Sequence, residues 1–250
     1  NNIHYFTTPY SLEVVDKVKD IVEAWKVGSG DVAWHDHIER MASHGKPIFI
    51  ATGASTLDEV KMAVSAASNK TDEILLMQCN TNYTASLENF KHINLRVLNS
   101  YANIFPGLLL GLSDHTPGHS TVLGAVALGA RAVEKHFTDD TSREGPDHKF
   151  SMDPKTWYEM VQRTRELEYS MGDGIKKIED NEVDSYVVQR RSIHASTDLA
   201  KGHILQKEDL VMLRPELEDS FKPYEIDKLI GKELLNDIVA NQCIRKQEVK

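Results

Sequence analysis

A chain of 250 residues can bury a sizeable core, as one large domain or two smaller ones. It is 40% hydrophobic and 27% charged, and no apolar run approaches the roughly 18 residues that a membrane-crossing helix needs. A net charge of -9 argues against a nucleic-acid partner, which needs a basic surface to track phosphates.

In chain order, strand-like runs are predicted at "IHYFTTP" (3–9), "VEAWKVGSG" (22–30), "KPIFIATG" (46–53), "EILLMQCN" (73–80), "GLLLGLSDH" (107–115) and "RAVEKHF" (131–137). Helical patterns lie between them at 11–21, 34–44, 56–68, 87–105 and 120–130, and a long closing helix is predicted over 154–172. Ser55-Thr56 ahead of Asp58-Glu59 reads as a helix start. Continuous rather than alternating apolar runs imply strands buried on both faces, as in a parallel sheet. A strand every 20–25 residues with helices between is the βα pattern. Eight such units close a barrel, and six fall two short. The chain begins at Asn1 without a Met and enters a strand almost at once, so the start of a longer parent is expected to be missing.

After Gly172 the pattern changes. Residues 173–186 are polar, of mixed charge and without a period, and read as a linker. From Val187 come short β-leaning pieces, "VVQRRSIHAS", "VMLRP" and "DIVANQCI", with one helical pattern near "PYEIDKLIG". The expected organisation is a barrel domain over 1–172, the linker, and a small β-rich domain over 187–250. Cys79 and Cys243 are far apart and outside any CxxC or CxxH pattern, which fits a reducing cytoplasm.

The strand ends carry the chemistry. Residues two apart in a strand share a face, so Ser113 points with His115 and Glu134 with His136. If 107–115 and 131–137 are neighbouring parallel strands, both imidazoles emerge at one C-terminal rim, where they could hold a divalent metal. Two unrelated histidines, one capping the helix at 120 and one in the core, are an equal alternative on geometry alone. The rigid Gly145-Pro146-Asp147 places an acid beside the same rim. Lys26 by itself reads first as an ordinary strand-end lysine. His35, His37 and His44 are assigned to a solvated helix face, since 35 and 37 do not face each other. Cys79 is assigned to core packing, as are Met152, Trp157 and Met160.

The stretch "GLSDHTPGHSTVLGAVALGARAVEKHFTDDTSREGPDHKFSMDP" closely resembles the sialic acid synthase family, and "FTTPY", "WKVGSGD" and "KPIFIATG" resemble it in the same order. "RRSIHASTDLAKGHIL" and "LIGKELLNDI" resemble that family's antifreeze-like (SAF) domain. The resemblance implies an α/β fold, a (β/α)8 TIM barrel whose first two strands, bearing a catalytic Glu and a substrate-binding Lys, precede the part seen here. It implies condensation of phosphoenolpyruvate with an N-acylated hexose to a sialic-type acid, with release of phosphate. By resemblance His115 and His136 match metal ligands for Mn²⁺ or Mg²⁺, and Glu134, Lys26 and Asp31 match catalytic positions. Thr8, Ser29 and Ser113 match phosphoenolpyruvate contacts, Tyr83 and Asp147 sugar contacts, and Asn80 a further substrate contact. Arg214 matches an arginine that reaches the other subunit of a domain-swapped homodimer. Ala51 stands where some members have a phosphate-binding Ser, Thr81 where others have Asn, and Glu216-Leu217-Glu218 replaces a Gly-rich stretch. Three other readings stay open: a sister synthase using a pentose or erythrose phosphate, a metal-dependent hydrolase, and a non-catalytic fragment.

Overall fold

Each apolar run of the first half becomes a strand, and each intervening pattern a helix. A computed structural model describes residues 3–250 and divides them at Asp173/Gly174 into two units. The first unit runs β1 (Phe6–Thr7), α1 (Leu12–Val18), β2 (Ala24–Val27), α2 (His35–Ala42), β3 (Ile48–Ala51) and α3 (Leu57–Ser68). It continues with β4 (Ile74–Cys79), α4 (Val97–Ile104), β5 (Leu109–Asp114), α5 (Ser120–Ala127), β6 (Ala132–Lys135) and α6 (Pro154–Met171). The strands lie in the order β1-β2-β3-β4-β5-β6, every pair parallel. All six residues of β4 are buried, as expected for a strand covered on both faces.

A flat sheet would hold β2 and β6 about 19 Å apart, four spacings of about 4.8 Å. Lys26 Nζ on β2 nonetheless lies 3.0 Å from Glu134 Oε2 on β6. The sheet is therefore curled, with Phe6, Lys26, Phe49, Met77 and Glu134 lining a cavity on its concave side. The resemblance predicts an eight-stranded barrel; among the described residues this sheet has six strands, with β1 and β6 as its edges. Its convex side packs on the helices through Trp25, Ile38, Met41, Ile48, Ile50 and Leu76.

Local signals account for the helix starts. Thr56 Oγ1 accepts from Glu59 N while the Glu59 carboxylate accepts from Thr56 N at 2.7 Å, which caps α3 from both directions. Asp153 caps α6 ahead of Pro154. The predicted helix over 87–105 splits into a 3-10 segment, Leu87–His92, and α4. Met152 and Met160 are buried against Val122 with Trp157 beside them, a packed face as predicted.

His37 corrects the sequence reading. It is 1% exposed, not solvated. Along α2 the buried set is His37, Ile38, Met41 and Ala42, so His37 lies one turn from Met41 on the apolar stripe and is drawn in with it.

The second unit holds α7 (Val183–Gln189) and the antiparallel pair β7 (Ser192–Ala195) and β8 (Leu210–Leu213). Val187, Val188 and Gln189, read as β-leaning, belong to α7, whose Tyr186 ring lies under the Arg190 guanidinium at 4.4 Å. "DIVANQCI" contributes bridges rather than a strand, Leu199 with Ile238 and His194 with Cys243. Ile193, Leu205, Leu229, Leu234 and Ile244 form its core.

Candidate active site

Because β5 and β6 pair in parallel with Ser113 opposite Glu134, the two-residue alternation brings Ser113, His115, Glu134 and His136 to one rim. The imidazole centroids of His115 and His136 are 5.1 Å apart. Tyr83, from the loop after β4, packs 4.3 Å from the His115 ring, and Phe150 lies 5.0 Å from that of His136. The alternative in which His115 caps the next helix does not hold; His119 occupies that cap position and makes no side-chain cap bond.

Each imidazole has an oxygen behind its Nδ1. His115 Nδ1 is 3.0 Å from the Asn80 carbonyl, which only accepts, so that nitrogen carries the proton and leaves Nε2 with its lone pair. His136 Nδ1 lies 3.5 Å from Asp147 Oδ2. An imidazole oriented through one nitrogen by a carbonyl or carboxylate is a ready metal donor through the other. Among the described residues no three His, Cys, Asp or Glu side chains are grouped so as to hold a metal ion by themselves. Two imidazoles alone could hold only an ion whose remaining positions are filled by water and substrate oxygens.

Electrostatics separate the two rings. Burial pushes His115 toward the neutral form, but the Cys79 sulfur beside it and the Asn80 carbonyl that accepts from its Nδ1 outweigh this and raise its pKa above 6.5. Burial, and then the neighbouring His115, lower that of His136. Glu134 is lowered although burial opposes this, because the Lys26 charge and a hydrogen bond from Ser113 favour its carboxylate. Lys26 is 5% exposed, and among the described residues Glu134 is its ion-pair partner.

The remaining predicted residues distribute around this pair. Ser29 follows β2 at the same end of the sheet, where its Oγ accepts from Gly53 N at 2.9 Å. Thr8, after β1, has its methyl 3.4 Å from where a Cβ on Gly28 would sit. Asp31 closes the short turn Ser29–Asp31 and faces His37 electrostatically. Asn80 is turned away: its side chain donates to the His92 carbonyl at 3.2 Å, and only its backbone reaches His115. Ala51 is buried and brings no hydroxyl. Arg214, in the second unit, is exposed at the end of β8, and the next residue's carbonyl accepts from Ser192 Oγ at 2.9 Å. Glu216, in the departing loop, pairs with Arg190 at 2.9 Å.

Four residues escape the sequence reading. Cys79 is more than packing: its thiol lies 3.9 Å from Thr81 Oγ1, and although burial opposes this, the neighbouring His115, Ser29 and Ser113 hold its pKa below the ordinary thiol value. Gly53 makes room for the site: a Cβ there would lie 1.9 Å from Thr81 Oγ1 and 2.9 Å from Ser29 Oγ, so a larger residue must displace these side chains. Asp114 and Lys135 form an ion pair on the opposite side of the β5–β6 pair. A signal for these two existed: charged residues in otherwise buried strands demand partners.

The N,N'-diacetyllegionaminic acid synthase of Legionella pneumophila is 34% identical over 254 residues, 99% of this chain and 70% of that one. The synthase of the same name from Campylobacter jejuni is 34% identical over 249 residues, 98% of this chain and 73% of its own. The crystal structure of the N-acetylneuraminic acid synthetase from Leptospira borgpetersenii superposes with a TM-score of 0.67 at 28% identity, covering 74% of this chain and 64% of that one. Residues 190–250 match the SAF domain. Residues 1–176 match the NeuB family throughout, and the chain belongs to that family.

Proposed function

We propose that the protein condenses phosphoenolpyruvate with the open-chain form of an N-acylated hexose, giving a nonulosonic acid and phosphate. The observation that carries this reading is the Lys26–Glu134 ion pair beside the paired imidazoles of His115 and His136, in a NeuB-family chain. The two synthase names among its relatives, legionaminic and N-acetylneuraminic, support an amino-sugar acid as product and leave the sugar's substituents open.

In this reading Lys26, buried and pinned by Glu134, offers a fixed positive charge to the phosphate or carboxylate of phosphoenolpyruvate. The hydroxyls of Ser29, Ser113 and Thr8 donate to the remaining anionic oxygens. His115 and His136 would hold Mn²⁺ or Mg²⁺, which supplies a Lewis acid for the aldehyde oxygen. Asp147 and the Tyr83 hydroxyl face the sugar. C3 of the enol then attacks the aldehyde carbon, water adds at C2, and phosphate leaves. The residues contribute chiefly by orienting the two substrates, a term worth up to roughly 7–11 kcal/mol in well-aligned systems. The assembly is proposed to be a homodimer in which Arg214 serves the partner's site. The two cysteines, buried and unpaired, suit a reducing compartment, and the cytoplasm is the proposed location.

The test is phosphate release with phosphoenolpyruvate, Mn²⁺ and a panel of N-acylated hexoses. Release should require both organic substrates, and Lys26→Met should lower kcat/KM by at least about a hundredfold, the order expected for a positioned charge. Release from phosphoenolpyruvate alone, unchanged by any sugar, would establish a hydrolase instead.

A further inference from the structure

The alternation that turns Ser113, His115, Glu134 and His136 to the concave side turns Asp114 and Lys135 to the other, where both side chains are 1% exposed. Lys135 Nζ lies 2.7 Å from Asp114 Oδ2 and donates also to the Thr116 carbonyl at 2.6 Å. Asp114 accepts further from the Thr121 hydroxyl at 2.6 Å, and from the Thr116 hydroxyl and backbone N–H. Thr121 is the second residue of α5, so one carboxylate ties together β5, the turn after it, the first turn of α5 and β6.

An ion pair this deep is a poor way to gain stability. Desolvating both charges offsets their attraction, and apolar residues of similar volume often do as well. What it supplies is geometry. The carboxylate has a defined acceptor direction for each of its donors, and Asp114 and Lys135 are covalently adjacent to the two imidazole residues. A slip or splay of β6 against β5 would move His136 relative to His115 and would break these bonds at the same time.

We propose that Asp114 and Lys135 are positioning residues, a buried clamp that sets the separation of His115 and His136 across the β5–β6 pair. The relevance to metal rests on the reading of those imidazoles as ligands; the relevance to their spacing does not. Loss of the clamp leaves donors present but misplaced, which in supporting shells of metal sites typically costs about 10- to 100-fold in affinity.

The experiment compares the parent with the double variant Asp114→Asn/Lys135→Met, which keeps side-chain volume and one acceptor oxygen for Thr116 but removes both charges. Three quantities are measured: the thermal midpoint, the nuclear Overhauser contact between the His115 and His136 rings without metal, and Mn²⁺ affinity by electron paramagnetic resonance. The expected result is a folded variant in which the ring–ring contact is lost and Mn²⁺ binds at least about tenfold more weakly. A folded variant with the parental ring contact overturns the clamp. If the double variant does not fold, Thr121→Val decides: it removes one hydroxyl from the carboxylate, should weaken the ring contact and Mn²⁺ binding, and overturns the proposal if both stay parental. A parent that shows the ring contact but binds no Mn²⁺ defeats the metal reading alone, and the contact in the variants still judges the clamp. Restoring Lys135 in the Asp114→Asn background should recover neither property, because the charge partner is still absent.

Discussion

At His37 both ring nitrogens are buried without a hydrogen-bond partner, and the ring stacks on Trp34 with centroids 4.5 Å apart. Burial holds its pKa below 6.5, although Asp31 pulls the other way. The consequence for folding has a definite sign. Below about pH 6.5 the unfolded chain takes up a proton that the folded chain refuses, so stability falls as pH drops from there toward the lower folded value. His37→Phe keeps a ring against Trp34 and removes the titration. Its unfolding free energy, followed from pH 7.5 to 5, should fall less steeply than the parent's. It should also be no less stable at pH 7.5, since two unpaired polar atoms leave the core. Superimposable pH profiles would mean that His37 is hydrated or paired in solution.

Among the elements, what was legible followed from short-range rules. The six strands of the first unit read directly from apolar continuity, and Ser113, His115, Glu134 and His136 from alternation, because neither needs knowledge of distant residues. The α3 start was legible for the same reason, since Thr56 and Glu59 are three residues apart. That cap is also testable. Thr56→Ala removes the acceptor for Glu59 N and should lower the thermal midpoint of the first unit by roughly 2–4 °C, with activity kept. No shift by calorimetry would show that the first turn of α3 is held by other contacts. Illegible features depended on partners far away in sequence. Gly53 is dictated by Thr81, and Lys26 meets Glu134 only because the sheet curls. Asn80 lies next to the motif, yet at the end of β4 the side-chain alternation turns its amide to His92. The helix α7 escaped because Val183, Val187 and Val188 are exposed, so no buried stripe marks a period.

For the whole molecule, the proposed dimer makes its own prediction at Arg214. Arg214 is exposed, and its loop is tied down one residue later through Ser192 and, at Glu216, through Arg190. A guanidinium carried on an anchored loop suits recognition of a sugar hydroxyl or amide, because its donors form a rigid fork. The dimer proposal has this group act on the partner's site, and it is separable from action within one chain. Arg214→Ala and His115→Ala should each be nearly inactive alone. After mixing and subunit exchange, each heterodimer has one site that joins an intact His115 to an intact Arg214, so about a quarter of all sites should recover in an equal mixture of a twofold dimer. Mass spectrometry of isotope-labelled subunits verifies the exchange. Recovery near that level establishes action in trans. Exchange without recovery would assign Arg214 to its own chain's site or to none, and the exposed loop would then be a feature of the second unit alone.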